Sequence, residues 1–382
     1  MIPVGPAGWG AVAVVAVVLG RLLTRAVRWL EPEASGRPQT HRRIELVFVV
    51  AALTLWWWEI HARGQVPLVG GGVIADTATG DLVLRYAAHL LLFTLLAAAS
   101  WIDLRLRVIP DGLTVPGVLA GLGWATAFPA TLLPITREVP RSFAAPALEA
   151  DVLGFLGGMH ATAVPDGLGG RPAVLGLAVA AAGFVAWWAA CTAPAFDDHG
   201  QPVRAAAPVA WLVQPRHLVL VAGLLIVGAA WAVGGDHWAG LLASLGGMIV
   251  AGAVVWLTRI GASWALDQEA LGFGDVTLMA MAGSWLGWQA CLLACFAAVF
   301  IGLFHGLGQV ALRREHELPF GPSLCLALVL VVVAWAPLWR RAGPFFERPG
   351  ELAAVVGLVI VLTAVSLFFW RRLRGGGAET SG

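Results

Sequence analysis

The 382-residue chain contains no lysine; all 24 of its basic residues are arginine. Charged residues make up 12% of it, against the roughly 25% of an ordinary soluble domain. With 23 acidic residues the formal net charge is +1, so the balance offers nothing of the basic surface that nucleic-acid binding needs. Cysteine is scarce too, with Cys191, Cys291, Cys295 and Cys325 and no Cys-x-x-Cys pair. That spacing excludes a zinc ribbon or a dithiol redox motif. Cys291 and Cys295 share a helical face at i, i+4, but no His or carboxylate joins them at a ligand-like interval. They read as small buried thiols, and no metal or other cofactor is called for. Long polar stretches are also missing, so no soluble domain of ordinary size fits into the chain.

What fills the sequence instead is apolar helix. Hydrophobic residues account for 59% and mean hydropathy is +0.81. Apolar runs of about 17 to 25 residues, the length that crosses a bilayer, recur from end to end. Candidate spans lie near 8–24, 45–60, 84–102, 113–135, 173–193, 217–234 and 238–258. A short one near 276–286 follows, then 289–311, 323–338 and 351–370. The pattern predicts an all-α, polytopic membrane bundle of about 9–11 transmembrane helices. The first span has no basic region ahead of it and no clear cleavage site, and reads as a retained helix.

Basic loops stay in the cytoplasm. The loop after the first span holds Arg21, Arg25, Arg28, Arg37, Arg42 and Arg43 and is the most basic of all. Placing it inside an inner membrane puts Asp103, Arg105 and Arg107, the loop around Asp275, Arg313 and Arg314, and the tail Arg371, Arg372 and Arg374 on the same cytoplasmic side. Arg340, Arg341 and Arg348 fall outside and run against the scheme. Two connections are long: residues 136–172, expected outside, and 194–216, expected inside. The latter carries Asp197-Asp198-His199, a possible ligand cluster, but the flanking Pro and Gly favour a solvated turn. No internal repeat of the kind that marks many transporters is visible.

One stretch stands out. Leu271-Gly272-Phe273-Gly274-Asp275 sets an acid behind two glycines at the mouth of an apolar segment. Ionisable groups near lipid are costly and by default functional candidates. Glycines there let backbone approach a bound chain closely. Partners for Asp275 occur in Ser100-Trp101-Ile102-Asp103-Leu104-Arg105-Leu106-Arg107-Val108-Ile109-Pro110-Asp111. Asp103 sits where a helix leaves the bilayer, and Asp111 follows a proline in a turn; both are expected on the same membrane face as Asp275. Two facing carboxylates are the minimum equipment for aspartyl proteolysis. The ionised one takes a proton from water while the protonated one polarises the peptide carbonyl. The plainer alternative is a pair of interfacial acids capping helices against headgroups.

Asp103 with Ile109-Pro110-Asp111-x-Leu113-Thr114, then Gly272-x-Gly274-Asp275, resembles the paired motifs of type IV prepilin peptidases, intramembrane aspartic proteases of the GxGD class. The likeness continues through Val276-Thr277-Leu278-Met279-Ala280 and Gly283-Ser284-Trp285-Leu286-Gly287-Trp288 to Pro319-Phe320-Gly321-Pro322, similar to the family's closing motif. Arg42-Arg43-Ile44-Glu45-Leu46 is weakly similar to the start of its second helix. The resemblance covers roughly 95–120 and 265–335 well, and the first sixty residues weakly. It implies Asp103 and Asp275 as the catalytic pair. Asp111 falls where the family tolerates Asp or Asn, and is grouped with Gly272, Gly274, Pro319, Phe320, Gly321 and Pro322 as substrate-side residues. The implied partners are prepilin-like precursors with a hydrophobic helix behind a short charged leader, cut after a glycine at the cytoplasmic face, together with membrane lipid. Nothing indicates an oligomeric state.

On this reading 1–62 holds N-terminal helices and a basic loop, and 84–135 the helices around the first aspartate. Residues 136–240 are inserted loops and helices, 241–338 the half with the GxGD and Pro-Phe-Gly-Pro motifs, and 339–382 a C-terminal helix and tail. Two departures narrow the reading. Residues 21–43 lack the two Cys-x-x-Cys pairs of the family's zinc domain, and Gly20-Arg21-Leu22-Leu23-Thr24 stands where its Gly-Ser-x-x-Asn element is expected. Both argue against methylation of the new N-terminus. Rival readings are another GxGD-class protease, a transporter, or a non-catalytic scaffold. A presenilin-like enzyme is expected to carry Tyr-Asp and Pro-Ala-Leu, where this chain has Ile102-Asp103 and Pro319-Phe320.

Overall fold

The computed structural model describes residues 6–30, 38–65, 68–69, 73–74, 79–134, 174–192, 215–268, 270–311, 319–346 and 348–375. The loop 136–172 and Asp197-Asp198-His199 lie outside the described residues. Among the described residues twelve α-helices follow one another: α1 (Pro6–Leu30), α2 (Pro38–Trp56), α3 (Thr79–Leu106), α4 (Asp111–Ala127), α5 (Val174–Thr192) and α6 (Pro215–Val233). Then come α7 (Gly235–Leu266), α8 (Phe273–Leu286), α9 (Trp288–Ala311), α10 (Gly321–Val333), α11 (Trp335–Phe346) and α12 (Pro349–Gly375). A π-helical turn, Trp57–His61, extends α2. The strands Leu68–Val69 and Val73–Ile74 pair antiparallel, with Leu68 opposite Ile74.

Seven of these helices are long and apolar enough to cross a bilayer, over Gly8–Trp29, Arg42–His61, Thr79–Leu106, Val174–Cys191, Gly235–Leu266, Trp288–His305 and Gly350–Phe368. Their outer faces are apolar as well: Val14, Val179, Trp256, Phe296, Phe304 and Leu358 are all exposed. In water such a surface would drive association; against lipid it is the expected finish. The protein is an all-α, multi-pass membrane bundle.

Each expected span coincides with a helix, but prolines reset two of the ends. The span expected over 113–135 stops at Ala127, because Pro129 has no N–H to continue it and opens a 3₁₀ turn over Pro129–Thr131. The span expected over 323–338 breaks at Ala334, and α10 and α11 meet at 94°. Pro337 explains the break, since its ring clashes with the carbonyl four residues back, that of Val333. Beyond it, α11 buries Trp335, Ala336, Trp339 and Phe346 and leaves Arg340 and Arg341 exposed. Two of the three arginines that ran against the charge scheme, Arg340 and Arg341, therefore sit on the exposed side of α11.

At the centre lies α8, with every residue from Asp275 to Leu286 buried. It packs on α7, α4, α9, α3 and α10. Its closest approach is to α7. A methyl group on Gly247 would overlap the Gly283 carbonyl, and one on Gly283 the Gly247 carbonyl. Beside this crossing the Ser244 hydroxyl donates to the Ser284 carbonyl at 2.6 Å. Lipid supplies no hydrophobic drive between helices, so close packing of small residues carries the association. Gly283→Leu is accordingly expected to destabilise the fold by about 3 kcal/mol or more, read as a lower Tm of the detergent-solubilised protein. At the periphery, α12 is held to α7 by the Arg371–Asp267 pair at 2.8 Å and by stacking of Phe368 on Trp264.

Candidate active site

Asp103 lies in the last turn of α3, and only 5% of it is exposed. The chain must then reverse. Arg107 adopts a left-handed conformation at φ 57°, and its N–H closes the helix on the Asp103 carbonyl at 2.8 Å. Val108 and Ile109 lead to Pro110, whose extended backbone caps α4.

Asp275 lies in the first turn of α8, where an acid is favoured by the helix dipole, and is 7% exposed. Its N–H reaches back to the Gly272 carbonyl at 3.3 Å, and the Thr277 hydroxyl donates to the Gly274 carbonyl at 3.1 Å. The loop ahead is held from α7. The Arg259 Nε–H donates to the Leu271 carbonyl at 2.8 Å, and the guanidinium lies 5.8 Å from the centre of the Phe273 ring.

α10 brings in the third segment. Pro322 occupies the second position of this helix, where no N–H is needed. The Gly321 N–H donates to the Asp103 carboxylate. A methyl on Gly321 would overlap Asp103 Oδ2, and it would come within 3.0 Å of Ile109 Cδ1. Ile109 also fills the side-chain position of Gly274: a methyl there would lie 2.9 Å from Ile109 Cβ and 3.1 Å from its carbonyl oxygen. One isoleucine thus wedges the two glycine-bearing segments around the acids. Gly274 serves this internal contact, whereas a methyl on Gly272 would meet nothing nearer than Asp275 Oδ2 at 3.9 Å.

The two carboxyls lie within electrostatic reach of each other, and both act on the Cys325 thiol of α10. Asp275 Oδ1 is buried with no hydrogen-bond partner among the described residues. A buried carboxyl is normally satisfied; this one keeps an acceptor unused. Asp111 is different. It is exposed at the start of α4, and its charge acts on Cys191 of α5. Beside the acids, Val299, Gly302, His305, Pro319, Phe320 and Ser323 line a groove of about 220 Å³ between α9 and α10. Among the described residues no three His, Cys, Asp or Glu side chains converge on a common point.

The fold therefore collects Asp103, Asp275, Gly274 and Gly321 at one end of the bundle, with Gly272, Pro319 and Phe320 around them and Asp111 to one side. Arg259 and Cys325 have no site role in the sequence reading, and Ile109 enters it only within the Ile109-Pro110-Asp111 motif, with no role of its own. Arg259 carried a usable signal, being a charged residue within an apolar run. The other two become visible only through contacts between helices.

Residues 215–307, which include Asp275 but neither Asp103 nor Pro319–Pro322, match the type IV leader peptidase family. The match begins inside the 136–240 stretch that the sequence reading treats as an insertion. The chain is 35% identical over 104 residues to a prepilin leader peptidase/N-methyltransferase of Aeromonas hydrophila, covering 24% of this chain and 36% of that protein. A protein of the same description from Pectobacterium carotovorum is 36% identical over 110 residues, 25% of this chain and 39% of its own length. One from Burkholderia pseudomallei is 29% identical over 129 residues, 33% of this chain and 40% of its own. The chain thus spans well under half the length of these relatives. No solved structure matches.

Proposed function

We propose that this chain, whose residues 215–307 match the type IV leader peptidase family, is an aspartyl endopeptidase with Asp103 and Asp275 as its dyad. The observation that carries the reading is the pairing of these two buried acids, one of them with an unpartnered oxygen. In the resting dyad one carboxyl holds a proton and the other does not. The ionised member takes a proton from water, and the oxygen of that water attacks the scissile carbonyl carbon. The protonated member hydrogen-bonds the carbonyl oxygen as negative charge develops there. Collapse of the tetrahedral intermediate breaks the C–N bond, and the leaving nitrogen takes a proton from the dyad. A peptide has to enter beside Gly272, where there is room, and the groove along Pro319 and Phe320 is the adjoining space for its apolar part.

The relatives' description as prepilin leader peptidases supports precursors of prepilin type, bearing a leader, as the substrate class. The arginine distribution favours cleavage on the cytoplasmic side of an inner membrane. The lack of cysteine in residues 21–43 argues against methyltransfer. The test reconstitutes the full chain in lipid vesicles with a prepilin-like precursor and reads the leader and the new N-terminus by mass. Release of the leader without methylation is expected, and Asp111→Asn should cleave within a few-fold of wild type. An intact precursor would overturn the protease reading and leave transport or scaffolding.

A further inference from the structure

At the end of α3 remote from Asp103 lies a second buried polar cluster that leader cleavage does not use. The π-helical turn Trp57–His61 presents Glu59, which is 2% exposed. Glu59 Oε1 lies 2.8 Å from His89 Nδ1 and accepts from Gln65 Nε2 at 2.9 Å. To deliver Gln65 there the chain turns back sharply, with Arg63 left-handed at φ 48° and the Gly64 N–H bonded to the Trp58 carbonyl. Gln65 Nε2 also donates to the Val332 carbonyl at 3.1 Å, and the indole N–H of Trp58 donates to the Val333 carbonyl at 2.9 Å. These are the last carbonyls of α10, left without helical partners by the break before Pro337. Arg85, one turn before His89 on α3, is within electrostatic reach of Glu59 and donates to the Ala130 carbonyl at 3.0 Å.

A helix end could be satisfied by the glutamine alone. Burying Glu59 and Arg85 as well is poor economy for stability, because desolvated charges rarely repay their cost; the best-attested use of such groups is to fix one register of packing. The register at issue is that of α10 against α3. His89 and Asp103 are fourteen residues apart, about 21 Å and close to four whole turns, so they share a face of α3. The two helices are joined near Asp103 by the Gly321 N–H to its carboxylate, and one turn inward the Cys325 thiol lies against the Ser100 backbone. At the far end they are joined through Gln65 and His89 to Val332.

We propose that Glu59, Gln65 and His89 are positioning residues that set the axial register of α10 on α3 and so hold Gly321 against Asp103. The proposal rests on the reading of Asp103 as catalytic. Its test uses the full chain in lipid vesicles, with Gln65→Met, His89→Phe, His89→Asn and Trp58→Phe, and reads kcat and KM for precursor cleavage. In parallel, oxidative disulfide closure between Ser100→Cys and the native Cys325 reports the register itself. Gln65→Met and His89→Phe should lower kcat by about tenfold or more with KM nearly unchanged, and should slow closure. His89→Asn, which restores a nitrogen facing Glu59, should recover most of both. Trp58→Phe removes a single bond to the same helix end and should lower kcat a few-fold; it and His89→Asn decide the matter if the harsher variants do not fold. Equal closure rates in all of these proteins, zero included, overturn the proposal, as does unchanged kcat in variants that fold. Should wild type leave the precursor intact, the protease reading fails, and closure alone still decides the register.

Discussion

Asp103→Asn and Asp275→Asn are each expected to abolish precursor cleavage, lowering kcat by about 10³-fold or more with little change in KM. Asparagine keeps the size of the side chain and its hydrogen-bonding reach, but it can neither take a proton from water nor pass one on. Packing should therefore survive in both variants, which is what separates a chemical role from a structural one. At Asp275 the substitution also removes the possibility of a charge at a buried site with an oxygen that lacks a partner among the described residues. Its thermal stability should be equal to or above that of wild type. The double variant should be no slower than either single one, because members of one catalytic unit do not contribute additively. Cleavage assays and melting curves on the four proteins decide it. Full activity in either single variant would remove that residue from the dyad.

Gly321→Ala should be nearly as damaging, although it removes no chemical group. Its methyl would overlap Asp103 Oδ2 and press on Ile109 Cδ1. Neither neighbour can retreat easily, since Asp103 is buried and Ile109 is already seated against Gly274. Relief has to come from rotating the Asp103 carboxyl or sliding α10, and either separates the carboxylate from the Gly321 N–H. Misplacement of about 1 Å at a reacting group costs on the order of 100-fold in rate, so a loss of that size in kcat is expected. Gly274→Ala should behave similarly through Ile109. Gly272→Ala should be mild, because its methyl meets nothing nearer than 3.9 Å and its backbone is ordinary extended chain. Rate measurements on the three variants check this ranking. A severe Gly272→Ala beside an active Gly321→Ala would contradict the geometry.

The bundle was legible because apolar runs of bilayer length have few other uses, and each expected span coincides with a helix. The ends were less legible wherever a proline lay inside an apolar run. Pro129 and Pro337 are surrounded by residues that fit a membrane, so hydropathy carries across them while the backbone cannot. Asp103 and Asp275 could be picked out as acids beside glycine and proline at span ends. The wedge formed by Ile109 could not: the Ile109-Pro110-Asp111 motif marks the residue, but nothing local encodes its contacts with Gly274 and Gly321. Glu59, Arg85 and His89 stood in the open as ionisable residues inside spans, but their meaning depends on Gln65 folding back from the following loop, a contact that no periodicity encodes.

The central helix α8 is only 14 residues long, about 21 Å, whereas a hydrocarbon core is about 30 Å thick. Its neighbours α3 and α7, of 28 and 32 residues, are long enough to cross with length to spare. Asp275 stands at the start of the short helix, so if the far end of α8 reaches its interface, the carboxyl lies below the opposite one. Because α8 is walled in by protein, lipid cannot thin around it to make up the difference. A precursor would have to sink into the bilayer to reach the acids, and further in a thick membrane than in a thin one. On the proposed function, hydrophobic mismatch between α8 and its host bilayer would then govern turnover, with acyl-chain length acting as a control that no residue of the site provides.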